Sequence, residues 1–364
     1  MKLLRLYIIK SGIFQKTVID FTDKSGKPQD LICLAGVNGA GKTSIMELIT
    51  NLMWFLNPKL TLENIAIDRL KPNILTRTEF AQLDIFYEGK ILSLVLGDES
   101  HIQKSSEYEQ MLIIEKQIAS ILKEFEEVVK SSIPHNKKDQ ITIKGTEYFE
   151  KKFFNRNITQ INNQLFAELF QELEKNIGQK MSKNNSLPFV YYFDADDRKI
   201  QDIRYRSIPE DNPIYELVQR YHSEDNDIKK LLVYYDYAYT QEFEKLKEWV
   251  NAKVLDNKRI TRIDRTQFKV VIQTDNGEHG MELLSSGEES LLIMAIQLYL
   301  NASPNSVILI DEVDQSLHPQ YQEKMMQLVK KIQQQTNCQI IVSSHSEFIW
   351  HEFDEQAIID LTRR

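Results

Sequence analysis

The chain has 364 residues, 42% of them hydrophobic and 27% charged, enough to bury a large core as one big domain or two lobes. Its net charge of -8 argues against a surface built throughout to coat nucleic acid, and no stretch reaches the roughly 18 apolar residues of a membrane helix. Met1 to Lys10 interleaves charges through a short apolar run, unlike a secretory signal, so the expected setting is cytoplasmic with no membrane partner.

Taken in chain order, Leu3 to Ile9 and Thr17 to Phe21 read as two strands joined through Ser11-Gly12. The apolar run Leu31 to Ala35 then leads into Gly36-Val37-Asn38-Gly39-Ala40-Gly41-Lys42-Thr43, which matches G-x-x-x-x-G-K-[ST]. A helical run follows to about Phe55, before Asn57-Pro58. Strand, glycine loop and helix in this order suit phosphate binding. Backbone N–H groups from Asn38, Gly39, Ala40 and Gly41 curl around a pyrophosphate without Cβ clashes, and the helix dipole aims its positive end at the same anion. Lys42 reaches the β- and γ-phosphates and Thr43 is the expected Mg²⁺ ligand, while Ser44 reads as a first-turn residue of the nucleotide site without metal contact. A second hairpin is expected from Ala81 to Tyr87 and Lys90 to Leu96 around Glu88-Gly89; the alternation around Gln82 suits a solvent-facing strand position.

From about Ser105 to Asn185 the composition turns charged and helical. Met111, Ile114, Ile118, Ile121, Phe125 and Val128 recur at spacings of three and four, and Ile161, Leu165, Leu169 and Leu173 mark a second helix over about 158–177. A turn near 131–145 lets the two fold back as a short arm of roughly 40 Å, or as helices packed onto the main body. Phe189 to Phe193 reads as a returning strand, followed by Asp194-Ala195-Asp196-Asp197-Arg198. Helices are expected over 213–222 and 227–255, with Tyr234, Tyr235, Tyr237 and Tyr239 packing inward and not stacking on bases. Basic runs at 198–206 and 253–269 read as solvated or partner-facing surfaces, with direct nucleic-acid contact as the alternative.

Phe268 to Gln273, the turn Asp275-Asn276-Gly277 and Met281 to Leu284 form an expected hairpin, which delivers Leu284-Ser285-Ser286-Gly287-Glu288 to the start of a helix over 289–302. As a cap alone, Ser285 or Ser286 takes the N-cap position with acids in the first turn. Val307 to Ile310 is a buried parallel strand ending in Asp311 and Glu312, a Walker B pattern in which Asp311 holds Mg²⁺ through water and Glu312 orients the attacking water. Gln339 to Ser343 is another buried strand, ending at Ser344-His345-Ser346, and His318 beside Pro319 reads as a local cap. Cys33 and Cys338 fall on or beside strands as buried thiols of a reducing compartment.

These motifs together resemble ABC-type ATPases. The segment at Leu284–Glu288 is similar to the ABC signature, departing from LSGGQ at Ser286 and Glu288, and in this relaxed form it looks more like RecF, SMC and related proteins than transporter subunits. Val313-Asp314-Gln315-Ser316-Leu317-His318-Pro319 resembles the D-loop, and His345 matches the switch histidine directed at the γ-phosphate. The family's Q-loop glutamine has no clear counterpart. The resemblance implies an α/β ABC-type P-loop head, a mixed sheet with an antiparallel lobe, divided as 1–104, a helical insertion at 105–185, a mostly helical segment at 186–266, and 267–364. It implies ATP and Mg²⁺ as cofactors and head-to-tail dimerisation, with Ser285, Ser286, Gly287 and Glu288 of one copy meeting the nucleotide of the other and Asp314 at the junction. Size, signature, the Leu-His-Pro continuation and no expected C-terminal nuclease look most like the ATPase subunits of Septu, retron or PARIS anti-phage systems, gating a separate nuclease or toxin. Two other readings stand beside it: a RecF/SMC-like repair ATPase acting directly on DNA, and a low-turnover ATP-dependent scaffold or inhibitor.

Overall fold

The computed structural model describes residues 1–58, 72–103, 110–114, 120–124, 127, 140, 164–179, 187–195, 198, 200, 215–223, 227–315 and 317–362. The chain opens with the hairpin β1 (Lys2–Ser11) and β2 (Phe14–Asp20), continues through β3 (Leu31–Ala35) and α1 (Lys42–Trp54), then α2 (Pro72–Arg77), β4 (Thr78–Tyr87), β5 (Lys90–Leu96) and β6 (Gln110–Ile114). Next come α3 (Gln164–Asn176), β7 (Phe189–Phe193), β8 (Val218–Arg220), α4 (Ile228–Ala238) and α5 (Thr240–Lys253). The remainder is β9 (Arg259–Asp264), β10 (Lys269–Thr274), β11 (Gly277–His279), α6 (Ser286–Asn301), β12 (Ser306–Ile310), α7 (Pro319–Thr336), β13 (Gln339–Ser344), α8 (Glu347–Trp350) and β14 (Ile358–Asp360).

Three sheets result. A six-stranded sheet in the order β14-β3-β13-β12-β7-β8 is parallel throughout. Its central strands are continuous apolar runs, as burial on both faces requires. A five-stranded sheet, β2-β1-β4-β5-β6, is antiparallel except for its last pair, and β11-β10-β9 is a small antiparallel sheet ahead of α6. The turn between β4 and β5 puts Glu88 and Gly89 both at positive φ, the backbone that a two-residue hairpin favours. Helix α1 packs on β5 from one sheet and on β7 and β8 from the other, so nearly all its residues are buried and it lacks a polar face.

One buried side chain bridges the two large sheets in addition to the packing of α1. Gln339, the first residue of β13, is fully buried; its Oε1 accepts from Leu3 N–H at 2.6 Å, and its Nε2 donates to the carbonyls of Leu3 at 3.1 Å and Gln29 at 2.8 Å.

Several expectations are corrected. Met111 and Ile114 lie on a strand, not on a helix: Gln110–Ile114 pairs in parallel with β5. A five-residue apolar run suits either period, and a sheet edge with open hydrogen-bonding groups decides between them. Ile121 is helical, whereas Ile118, Phe125, Val128, Ile161 and most of 131–145 lie outside the described residues. On α3, Leu169 and Leu173 are buried in the main core, so this helix packs on the body. Residues 218–220, expected in a helix, form β8 because β7 offers an unpaired edge beside them. The expected helix over 227–255 is broken at Tyr239, whose φ of -137° lies outside the helical region and whose ring packs on Tyr234 and Tyr235. Met281–Leu283 is a 3₁₀ turn and not a strand. Gln82 is buried and not solvent-facing: its amide donates to Asp84 at 2.8 Å and its carbonyl accepts from Gln103 N–H at 2.9 Å.

Replacing Gln339 by Leu strips these bonds from the buried Leu3 backbone of β1 and from the Gln29 carbonyl ahead of β3. The expected loss is about 2–4 kcal/mol in chemical unfolding, since an unsatisfied buried donor or acceptor costs about 1–3 kcal/mol. Unchanged stability would show that the sheets are held together elsewhere.

Candidate functional site

In the parallel sheet, β3, β13 and β12 are neighbours, with Ala35 opposite Ser344 and Ile310 opposite Val342. Their carboxyl ends therefore bring the glycine loop, His345 and Asp311-Glu312 to one edge, the position where parallel α/β sheets bind ligands. Gly39 and Gly41 hold φ of 82° and 91°, and a Cβ on Gly41 would come within 2.4 Å of the Phe14 ring. Only glycine fits there. Phe14 and the exposed Ile13, on the first hairpin, are thus part of the loop's surroundings, which the motif did not reveal. The Lys42 ammonium donates to the carbonyls of Gly36 at 2.7 Å and Val37 at 3.1 Å. Thr43 is exposed at the start of α1 and Ser44 is half-buried.

Asp311 is 1% exposed. Its Oδ1 accepts from the Ser343 hydroxyl at 2.5 Å, and its Oδ2 from the Tyr192 hydroxyl at 3.3 Å. The same Ser343 oxygen accepts from Glu312 N–H at 2.7 Å, and the Ser343 carbonyl accepts from Val313 N–H. Glu312 has a φ of 46°, a left-handed conformation that non-glycine residues adopt only when their surroundings enforce it. Arg198 supplies the other half of that enforcement: its buried guanidinium donates to the carbonyls of Asp311 and Glu312. Burial pulls this guanidinium below its ordinary pKa, and the charge of Asp311 opposes the shift. Ser343 and Arg198 thus pin the turn that carries both carboxylates. A serine before the histidine carries no sequence signal of this role, because only strand pairing sets it beside Asp311.

His345 Nε2 stands 3.3 Å from Asp314 Oδ2, and Asp314 is 6% exposed with its Oδ1 lacking a hydrogen-bond partner. The turn holding His345 is fixed by the Trp350 indole donating to the Ser344 carbonyl and by Ser346 N–H donating to the Ser344 hydroxyl. His318 caps α7 locally, accepting from Gln320 N–H with Pro319 next in the chain.

The motif at 285–288 sits apart from these groups. Ser285 is the N-cap of α6 and forms a capping box with Glu288, whose carboxylate also pairs with Lys258 at 2.7 Å. Partial burial tends to raise the Glu288 carboxyl, but Lys258 and Ser285 outweigh it and hold it below its usual range. Ser285 and Ser286 are exposed and Gly287 is buried. Among the described residues, no hydrogen bond joins Ser285–Glu288 to the glycine loop of the same chain. Half of the basic residues at 253–269 are matched: Lys258 pairs with Glu288, Arg262 with Glu278 and Arg265 with Asp236. Of the run at 198–206, Arg198 faces inward and Lys199, Arg204 and Arg206 lie outside the described residues.

The donor set suits a magnesium nucleotide. Buried and half-buried carboxylates of Glu47, Asp194, Asp311, Glu312 and Asp314 outnumber the cations Lys42, Arg198 and Arg220, and Asp314 keeps one oxygen without a hydrogen-bond partner. Glycines at positive φ leave room for phosphate oxygens.

Residues 31–349 match the model of a family described as "AAA domain, putative AbiEii toxin, Type IV TA system". The chain belongs to this family. The match covers the glycine loop and the strands carrying Glu312 and His345, so this is an ATPase of the AAA/ABC type with an α/β ABC-type head. Septu protein PtuA of Bacillus thuringiensis is 37% identical over 107 residues, 26% of each chain, so the aligned part spans about a quarter of that relative. The retron Ec83 probable ATPase of Escherichia coli is 23% identical over an alignment covering 95% of this chain and 68% of that one. Among solved structures, the SMC head domain from Thermotoga maritima aligns over 100% of this chain and 97% of its own at 14% identity, with a TM-score of 0.42. No helix among the described residues is long and apolar enough to cross a membrane.

Burial pushes the Cys33 thiol up to about 12, with Asp314 adding to the shift, and burial also raises Cys338. Both stay neutral at pH 8, where only a thiolate reacts readily. A chromogenic disulfide reagent is expected to label neither cysteine in the native protein at pH 8 and both after denaturation; fast labelling of the native protein would contradict the packing of β3.

Proposed function

We propose that this chain binds and hydrolyses ATP with Mg²⁺, and that two copies close head to tail around two nucleotides to gate or scaffold a separate nuclease or toxin in anti-phage defence. The observation that carries the reading is the left-handed turn at Glu312, held by Ser343 and Arg198 next to the aspartate proposed for Mg²⁺ and at the same end of the parallel sheet as the glycine loop. Strained backbone held by several contacts is a feature of functional sites, and here it carries the carboxylate proposed to orient water.

In this reading Lys42 exchanges the carbonyls of Gly36 and Val37 for phosphate oxygens, and backbone N–H groups from Asn38 to Lys42, with Thr43 and Ser44, complete the cradle. Thr43 and Asp311 hold Mg²⁺, which when bound offsets the charge of the triphosphate. Glu312 orients the attacking water and accepts its proton, and His345, held by Asp314, donates to the γ-phosphate. Ser285, Ser286 and Gly287 of a second copy present the N-terminus of α6 to that phosphate, with Glu288 kept in its capping box by Lys258. The link to defence rests on likeness to a Septu protein and a retron ATPase. Pairing of Lys258, Arg262 and Arg265 with local acids favours a protein effector over direct DNA binding.

Glu312→Gln is expected to lower kcat by about 100-fold or more, within the usual range for loss of a general base, while preserving ATP affinity. With ATP and Mg²⁺ this variant should elute as a dimer in size-exclusion chromatography, and Lys42→Ala should abolish both turnover and the dimer. A monomeric Glu312→Gln protein at saturating ATP would sink the head-to-tail model, and turnover surviving Lys42→Ala would place hydrolysis at another site.

A further inference from the structure

A second set of buried polar groups lies behind Asp311, on strands that carry no nucleotide motif. Tyr192 on β7 stands opposite Leu309 on one side and Arg220 of β8 on the other. The Arg220 guanidinium lies over the Tyr192 ring, 4.6 Å from its centroid. Its two terminal nitrogens meet the two oxygens of Glu47 on α1, at 3.0 and 2.5 Å, and Asp194 is 3.2 Å away. Glu47, Tyr192 and Arg220 are all almost completely buried. An unbroken line of contacts therefore runs from the helix behind the glycine loop, through Glu47, Arg220 and Tyr192, to Asp311 Oδ2.

Packing alone does not call for these groups. Phe189 and Phe193 are as deeply buried as Tyr192 but share the opposite face of β7 with Tyr191, so Tyr192 is the aromatic residue that faces Arg220 and Asp311. A buried ion pair is weak as a source of stability, because desolvation offsets most of its attraction and apolar pairs of similar volume do as well or better. What the hydroxyl adds is direction: it donates to one oxygen of Asp311 while Ser343 donates to the other, so the carboxylate is held from both sides. Burial alone would pull the Arg220 guanidinium down; hydrogen bonds and charge from Glu47 reverse this and keep the cation in place over the ring.

We propose that Tyr192, held by the Arg220–Glu47 pair, is a positioning residue that orients the Asp311 carboxylate toward magnesium, tying the setting of the metal site to the helix that carries the glycine loop. Groups that hold a metal-binding carboxylate from behind tune metal affinity without touching the ion. The inference rests on the magnesium–nucleotide reading of the site. It adds a role for β8, an edge strand of the parallel sheet.

The test is a Mg²⁺ titration of the full chain with a non-hydrolysable ATP analogue, read by thermal midpoint. Tyr192→Phe should need roughly tenfold more Mg²⁺ for half of the magnesium-dependent shift, the low end for losing such an outer contact. Its response to the analogue in EDTA should match wild type. Glu47→Gln, which keeps the shape but loosens Arg220, should move the curve in the same direction by a smaller factor; it decides the matter if Tyr192→Phe does not fold. Curves that coincide with wild type, or an equal loss of response with and without Mg²⁺, overturn the role. A wild-type chain with no magnesium-dependent response overturns the nucleotide reading and this role with it.

Discussion

At the end of β12 two adjacent carboxylates sit at the mostly buried C-terminal edge of the parallel sheet, and among the described residues neither is joined to a guanidinium in an ion pair, which in the proposed function leaves them for metal and water. The backbone and the far side of one carboxylate are pinned instead. Ser343 bonds Asp311 and the N–H of Glu312 at once, while Arg198 spends its charge on two carbonyls. The left-handed φ of Glu312 is the visible consequence. Everything else in the site is arranged around that turn.

The turn depends in turn on strand order. Ser343 reaches Asp311 only because β13 lies beside β12 in parallel register, and β13 is held to the antiparallel sheet by Gln339 at its other end. One strand therefore carries the sheet-to-sheet link, the serine that sets the Walker B turn and the strand end that presents His345. Helix α1 has a similar double duty. It begins at the glycine loop, is packed between the two sheets, and sends Glu47 to Arg220 behind Asp311. Its first turns are thus linked to the Asp311 carboxylate through Glu47, Arg220 and Tyr192, all almost completely buried.

Where the local pattern and the structure part, a free strand edge is usually the reason. Gln110–Ile114 and Val218–Arg220 both look helical in isolation, and both are drawn into a sheet beside β5 and β7. Their side-chain spacing does not change; their hydrogen bonds find better partners. The break at Tyr239 is different, since no glycine or proline marks it and it depends on aromatic packing against Tyr234 and Tyr235. The stretch read as a helical insertion thus contributes a strand to one sheet, and the mostly helical segment after it adds β8 beside the expected strand β7 of another.

By itself the sequence determined the chemistry: glycine spacing around Lys42, an apolar strand ending in Asp311-Glu312, and a second such strand ending at His345 are local patterns, because a tight phosphate loop and a buried parallel strand each impose their requirements within about ten residues. Tertiary structure alone decided which unmarked residues serve that chemistry. Ser343, Tyr192, Arg220 and Glu47 are ordinary in their local sequence, and they reach the site only when strands separated by tens or hundreds of residues become neighbours. Hydrogen bonds and ion pairs act over a few ångströms of space and are blind to distance along the chain, so no pattern read along one segment could have found them.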